Sequence, residues 1–518
     1  MKSLLVLLTV LSSFAFRGSA FAAPPNILII LADDLGYGDV QCYNPDRGKI
    51  PTPNLDRLAA QGMRFTDGHS SSGVCSPSRY TLLTGRYHWR TRLQTGIVSL
   101  WGQPLIAADR VTLGTLAQQH GYRTAAIGKW HLGWDWPIPE AQLPLFKPTL
   151  TASQVTGAQR TAWQEVFSQP IPGGPSTRGF DSYFGTDVPN WPPYCFIEND
   201  RTVGVPSELL PPEKLRNNQA SLQGPALAGW QLEGILPALG DRACQFITQC
   251  ATRPEPFLLY LPLTTPHTPL AVNAEWRGKS GLQNACADLI METDALAGRV
   301  LAALAKTGKA DNTLVFFTSD NGFARYAGAS ELEQRGHFPS GPLRGYKTDV
   351  YEGGHREPFI IRCPAVVKPG SRCDQLVHQA DFLATLAEIL GAKLRENAGE
   401  DSFSLLPLLK GGNKPVREHA VSCAINGVPG LRVGPWKLIP APEARTAAQG
   451  QARPGVQLYN LAEDLGETNN LAATQPARVA QMNTLLEKVI ADGRSTPGTP
   501  QKNDVAVRRF PAAPAATK

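Results

Sequence analysis

No Cys-x-x-Cys pair occurs anywhere in the 518 residues, although nine cysteines are present, so a zinc cluster or a thioredoxin-type redox site is not expected. Past the N-terminus no uninterrupted apolar run reaches the roughly 18 residues that a membrane span needs, so no stable membrane insertion of the mature chain is expected. There is also no long basic run. The formal charge of +6 is small for this length and makes no case for nucleic acid, though a mild positive balance suits anionic substrates. With 42% hydrophobic and 18% charged residues the composition is that of a globular protein, long enough for a large core and more than one domain.

The N-terminus reads as an address. Lys2 precedes the apolar run 4–16, and Ala20-Phe21-Ala22 ends it with small residues, the pattern of a secretory signal over 1–22 cut after Ala22. A secreted or periplasmic protein is therefore expected. An oxidising compartment would allow cysteines to pair; Cys244 with Cys250 and Cys363 with Cys373 are the local candidates, with connectivity open.

Four apolar runs share one feature. Residues 26–32 read as a strand buried on both faces of a parallel sheet and end in Asp33-Asp34. The strand 122–128 delivers Lys129 and, two residues on, His131. The run 256–261 leads to His267, and 313–318 is closed by Ser319-Asp320-Asn321-Gly322. Helical patterns over 52–65, 112–120, 285–306 and 379–390 separate or follow these strands, so the carboxyl ends should gather on one edge of the sheet, where open α/β folds bind ligands. Two adjacent carboxylates repel unless a cation lies between them. Asp33, Asp34, Asp320 and Asn321 are hard oxygen donors that suit Ca²⁺ in preference to Mg²⁺, and either over zinc.

Residues 75–86, Cys-Ser-Pro-Ser-Arg-Tyr-Thr-Leu-Leu-Thr-Gly-Arg, predict a helix that opens on Cys75 and stops at Gly85. A side chain at that end meets free backbone N–H groups and the positive end of the dipole, and Arg79 adds a permanent cation.

Cys-x-Pro-x-Arg followed by Leu-Thr-Gly-Arg resembles the signature of the type I, formylglycine-dependent sulfatases of the alkaline-phosphatase-like superfamily. The resemblance extends through Gly128–Gly133, Pro266-His267, 319–322, 347–358, Leu458-Tyr459-Asn460-Leu461 and 467–471. It implies a large mixed, mostly parallel α/β sheet flanked by helices, with a smaller C-terminal α+β domain. It further implies that Cys75 is converted to Cα-formylglycine by a formylglycine-generating enzyme. Ca²⁺ would be held by Asp33, Asp34, Cys75, Asp320 and Asn321. The implied catalytic set is Cys75, Arg79, Lys129, His131, His267 and Lys347, with His267 and Lys347 serving the leaving alcohol and His131 the release of sulfate. After Gly179-Phe180-Asp181 many relatives carry a Ser or His that touches the sulfate. Here the segment reads Thr186-Asp187-Val188-Pro189-Asn190-Trp191, so that contact is either missing or supplied by Asn190.

The expected activity is hydrolysis of a sulfate ester, of a carbohydrate in preference to a small aryl alcohol. The alternatives are a phosphate or phosphonate monoester hydrolase and, if Cys75 stays a thiol, a non-catalytic glycan-binding protein. The carbohydrate preference rests on the Pro-, Gly- and Trp-rich stretch 134–230, read as long insertions without clear periodicity. Trp134, Trp136 and Trp191 are candidates for stacking on a sugar, against the commoner role of packing within loops. His337, Arg344 and His355 are candidate substrate contacts, with ordinary loop polarity as the alternative. The expected organisation is a catalytic domain over 24–410, a C-terminal subdomain over 411–492 with strands near 419–424, 430–433, 436–440 and 457–460 and a helix over 476–491, and a disordered tail over 493–518.

Overall fold

A computed structural model describes residues 21, 23–149, 154–215, 220–440 and 455–510. The leader expected over 1–22 lies outside them except for Phe21, which packs into the core. No helix among the described residues is long and apolar enough to cross a membrane.

The strand β1 (Asn26–Asp33) is buried at every position. Because successive side chains of a strand point to opposite faces, Ile27, Ile29 and Leu31 enter one core while Leu28, Ile30 and Ala32 enter another. Each large aliphatic buried in this way stabilises the fold by about 1.5–3 kcal/mol, so the strand is at home only in the middle of a sheet covered on both sides. The remaining strands of that sheet are β2 (Met63–Phe65), β3 (Arg123–Lys129), β4 (Ser182–Thr186), β5 (Ile197–Glu198), β6 (Arg201–Thr202), β7 (Phe257–Pro266), β8 (Thr313–Ser319), β9 (Phe359–Arg362) and β10 (Ser371–Cys373). Their order is β10-β2-β9-β8-β1-β7-β3-β4-β5-β6. The centre, β8-β1-β7-β3-β4, is parallel, while β9 runs antiparallel to β8. Helices α1 (Pro53–Gln61), α3 (Ile235–Ala251) and α4 (Ala285–Lys306) cover the Leu28 face; α2 (Cys75–Thr84) and α5 (Asp381–Leu390) cover the Ile27 face. A second, antiparallel sheet runs β11 (His419–Cys423), β12 (Pro429–Val433), β13 (Trp436–Ile439), β14 (Gln457–Asn460), and α6 (Pro476–Ala491) packs Met482, Leu486 and Val489 against it.

Several expectations need correction. The helix expected over 52–65 ends at Gln61 and residues 63–65 become β2, paired antiparallel with β9. Gly62 passes so close to that strand that a Cβ would stand 2.5 Å from the Ile361 carbonyl oxygen. The stretch 134–230 is not merely insertion, since it holds the helix Gly157–Phe167 and supplies β4 to the main sheet. Disorder was expected over 493–518, but residues 493–510 are held by buried cations that need partners. Arg86 pairs with Asp504 at 3.1 Å, and Arg90 donates to Asn503 Oδ1 at 3.1 Å. Residues 511–518 lie outside the described ones. All nine cysteines are free. Cys244 and Cys250 share α3, where a spacing of six puts them on different faces; Cys363 and Cys373 sit in the apolar core as small hydrophobes.

Candidate active site

Cys75 is the first residue of α2, after an extended Val74 that offers no side-chain cap. The first-turn N–H groups therefore stay available at the end where Cys75 sits. The helix stops at Gly85, whose φ of 63° suits glycine and whose N–H returns to the Thr81 carbonyl. Every residue of α2 is buried. Burial pushes the Cys75 thiol up to about 12 against the pull of Lys129 and Lys347, so as a plain cysteine it stays protonated.

The four strand ends meet at this helix. Asp33, Asp34, Cys75 and His267 bring potential ligand atoms within 4.8 Å of one another. Lys129 Nζ lies 2.8 Å from Asp33 Oδ2, and Lys347 Nζ lies 2.7 Å from Asp34 Oδ2. Asn321 donates to Asp34 Oδ1 at 2.8 Å. Asp320 stands outside the tight group: its Oδ1 accepts the Asp34 N–H at 3.2 Å, and its Oδ2 accepts two N–H groups of Arg79 at 2.9 and 2.7 Å. Arg79 also donates to the Lys129 carbonyl at 3.0 Å, which ties the helix to the end of β3. Asp34, His131 and Thr348 all take left-handed backbone, uncommon for such residues and concentrated here around one pocket.

The charges respond to one another. Burial works to raise Asp33, but Lys129, His267, Arg79 and Lys347 outweigh it and hold it well below the usual carboxylate range. Burial and the neighbouring Asp33 push Asp320 up to about 6 in spite of Arg79. Burial opposes the Lys347 charge, yet Asp34 and Cys75 keep it well above its ordinary range. Burial together with Lys347 brings His267 down to about 4.

Two buried oxygens in this pocket make no hydrogen bond among the described residues: Asp33 Oδ1, which has only an ion-pair contact with Arg79 Nη2 at 3.5 Å, and Asn321 Oδ1. A buried acceptor without a donor is costly, and a hard cation is the partner that two such oxygens beside Asp34 would suit. The donor set thus fits a divalent ion.

His131 has its own logic. Its backbone N–H donates to Asp187 Oδ1 at 3.1 Å, and its ring Nε2 lies 3.2 Å from the Val98 carbonyl, which can only accept. Burial and then Lys129 and Arg79 hold the ring well below its usual pKa, so it is neutral and Nδ1 carries the lone pair. That Nδ1 has no partner among the described residues.

Other candidates fall elsewhere. His337 is locked between Asp39 Oδ1, at 2.8 Å, and the Lys49 N–H. Arg344 donates to the Glu467 carbonyl and lies over the Tyr351 ring. His355 faces His69 and Lys437 in a buried network with Glu352. His69, Glu352 and His355 lie close enough to hold an ion, but Arg432 and Lys437 already serve the carboxylate, and the network fastens the second sheet to the first. Asn190 donates to the Ala220 carbonyl while its Oδ1 is unpaired among the described residues. Trp134 is buried against Tyr183, and Trp136 packs on Trp101. Trp191 alone of the three sits at the pocket, its ring 5.5 Å from that of His131. The residue that sequence reading missed is Asp187, which holds the backbone of His131 and the indole N–H of Trp134; it belongs to no periodic pattern.

Comparison with known proteins identifies the family. The family model described as Sulfatase matches residues 25–392. An N-acetylgalactosamine-6-O-sulfatase of Bacteroides thetaiotaomicron is 33% identical over 90% of this chain and 93% of its own length. Human arylsulfatase A is 31% identical over 88% of this chain and 84% of its own. A solved chain from work on glycosaminoglycan metabolism by Bacteroides thetaiotaomicron superposes with a TM-score of 0.75 at 32% identity, covering 90% of this chain and 99% of that one. The chain belongs to the sulfatase family and is a sulfuric ester hydrolase.

Proposed function

We propose that this enzyme removes sulfate from a carbohydrate, using Cys75 matured to Cα-formylglycine and a Ca²⁺ ion held by Asp33, Asp34, Asp320, Asn321 and the matured residue. The observation that carries the reading is a pair of buried oxygens without a hydrogen bond, Asp33 Oδ1 and Asn321 Oδ1, in the same pocket as a helix-terminal cysteine whose thiol is protonated. The Sγ atom stands in for the oxygens that a hydrated aldehyde would present. Maturation supplies a nucleophilic hydroxyl for sulfur and a second hydroxyl that lets the sulfate go, where a plain thiol or serine would stay blocked. Bound Ca²⁺ would supply Lewis-acid polarisation of the sulfate oxygens.

The chain's own side chains do the rest. Arg79 and Lys129 offset the negative charge around residue 75, and their fixed geometry needs no rearrangement as charge develops. Lys347, charged and next to His267, faces the leaving oxygen and is the member that carries a proton; neutral His267 can only pass on a proton that it first takes at Nε2. With Nδ1 turned to the Thr268 carbonyl at 2.6 Å, His267 presents Nε2 to the pocket. His131 receives a proton at Nδ1.

The carbohydrate assignment draws on the relative named as an N-acetylgalactosamine-6-O-sulfatase, which spans nearly the whole chain. Secretion or a periplasmic location and a formylglycine-generating enzyme as maturation partner belong to the same proposal. Two measurements test it. Mass spectrometry of the Cys75 peptide from the native host should show a loss of about 18 Da, the change from thiol to aldehyde. A panel of defined sulfated mono- and disaccharides should release sulfate. An unmodified thiol in active protein, or cleavage of aryl sulfates with no sulfated sugar turned over, overturns the reading.

A further inference from the structure

Tyr326 is 55% exposed, more than any other large hydrophobic residue described. It stands on a single 3-10 turn, Arg325–Ala327, five residues beyond Asn321, while its neighbours Phe323, Ala324 and Ala327 are buried. That turn is not loose. The Lys347 N–H donates to the Phe323 carbonyl at 2.9 Å, and the Arg325 guanidinium lies 4.7 Å from the centre of the Tyr346 ring. The segment carrying Tyr326 is thus stitched to the segment carrying Lys347. The Tyr326 ring is near enough to Lys347, Asp34 and Cys75 for their charges to act on its hydroxyl, and it approaches Thr268, the residue after His267. No ring of the described residues stacks on it, so its exposed face is free to meet a ligand.

We propose that Tyr326 is a specificity-determining residue: its ring face is a platform for the pyranose that carries the sulfate, on the side where Lys347 and His267 meet the leaving oxygen. This rests on the carbohydrate reading above. The chemistry is that of an apolar ring face laid against the C–H face of a sugar, with a polar edge left for hydroxyls.

The test compares matured wild-type enzyme with Tyr326→Ala and Tyr326→Phe on two probes, N-acetylgalactosamine 6-sulfate and a short straight-chain alkyl sulfate with no ring. Tyr326→Ala should raise KM for the sugar sulfate about tenfold while kcat stays within about twofold, and leave kcat/KM for the alkyl sulfate unchanged. Tyr326→Phe should behave like wild type on both, since the ring face is kept. Titration calorimetry of the sugar sulfate into Cys75→Ala protein, with and without Tyr326→Ala, should show the same tenfold weakening without any turnover. An unchanged KM and affinity for the sugar, or an equal loss on both probes, overturns the platform and leaves the carbohydrate reading standing. Wild-type enzyme that cleaves the alkyl sulfate but no sugar sulfate overturns both.

Discussion

Nζ of Lys347 stands 2.7 Å from Oδ2 of Asp34, a buried ion pair between a loop beyond β8 and the carboxyl end of β1. Each member has a second interest: Asp34 also takes the Asn321 amide, and Lys347 faces the space in front of Cys75. Replacing Lys347 by Ala removes the fixed cation that the proposed mechanism places beside the leaving oxygen. The expected loss is about 10²–10³ in kcat with little change in KM, the size found when one preorganised donor is deleted. Steady-state kinetics on any cleaved sulfate ester measures it, and a KM effect alone would argue for a binding role instead.

Arg79 carries a structural duty as well as an electrostatic one. Its guanidinium is fully buried, with two N–H groups on one oxygen of Asp320 and a third on the Lys129 carbonyl. Arg79→Ala leaves Asp320 buried without its cation, and a loss of about 3–5 kcal/mol follows from breaking such a pair on one side only. Arg79→Lys should recover part of it, because an ammonium cannot span both partners. Chemical denaturation reads the difference; equal midpoints for wild type and Arg79→Ala would show that the pair stabilises nothing.

Calcium and fold stability should be linked. A chelator should abolish turnover and lower the thermal midpoint, and added Ca²⁺ should restore both; at a hundredfold excess over Kd, binding to the folded state contributes about 2.7 kcal/mol. Asn321→Leu should shift the Ca²⁺ dependence of the midpoint to higher concentration, since it deletes one of the two oxygens without a hydrogen bond. A midpoint indifferent to chelator would count against the ion.

His88 predicts a pH limb of stability away from the pocket. Burial alone lowers its pKa from 6.5 to about 3, and its Nδ1 pairs with Ser71 Oγ at 3.2 Å. The unfolded chain takes up the proton at higher pH than the folded one does. The stability that neutral His88 contributes is therefore whole above pH 6.5 and is lost as the pH falls towards 3, by up to about 1.4 kcal/mol per unit. His88→Gln should flatten the decline between pH 6.5 and 4.5 by about one proton's worth, measured by denaturation at each pH. A decline as steep as that of wild type would assign the proton uptake to other groups.

Much of the active centre was legible because short-range rules govern it. An apolar run that stops at Asp33-Asp34 or at Asp320-Asn321 announces a buried parallel strand and a polar end, whatever the rest of the chain does. The helix at Cys75 is likewise local, written by Pro77 near its start and Gly85 at its stop. Residues 63–65 were misread because a few apolar residues after a helix continue its pattern equally well; only pairing with 359–361 turns them into a strand. The His337–Asp39 pair, the Glu352 network around His355 and the Glu467 carbonyl on Arg344 show that three candidate loop residues are held by distant partners.

By itself, then, the amino-acid order determined which residue types stand at the strand ends and at the mouth of the helix, since burial periodicity and capping act over a few neighbours. Tertiary structure alone decided that Asp187 holds the His131 backbone, that Arg86 and Arg90 hold residues 493–510, and that the Lys347 segment is tied to Phe323. Those relations join positions up to several hundred residues apart, and no local rule carries information over such a separation until the sheet has brought its edges together.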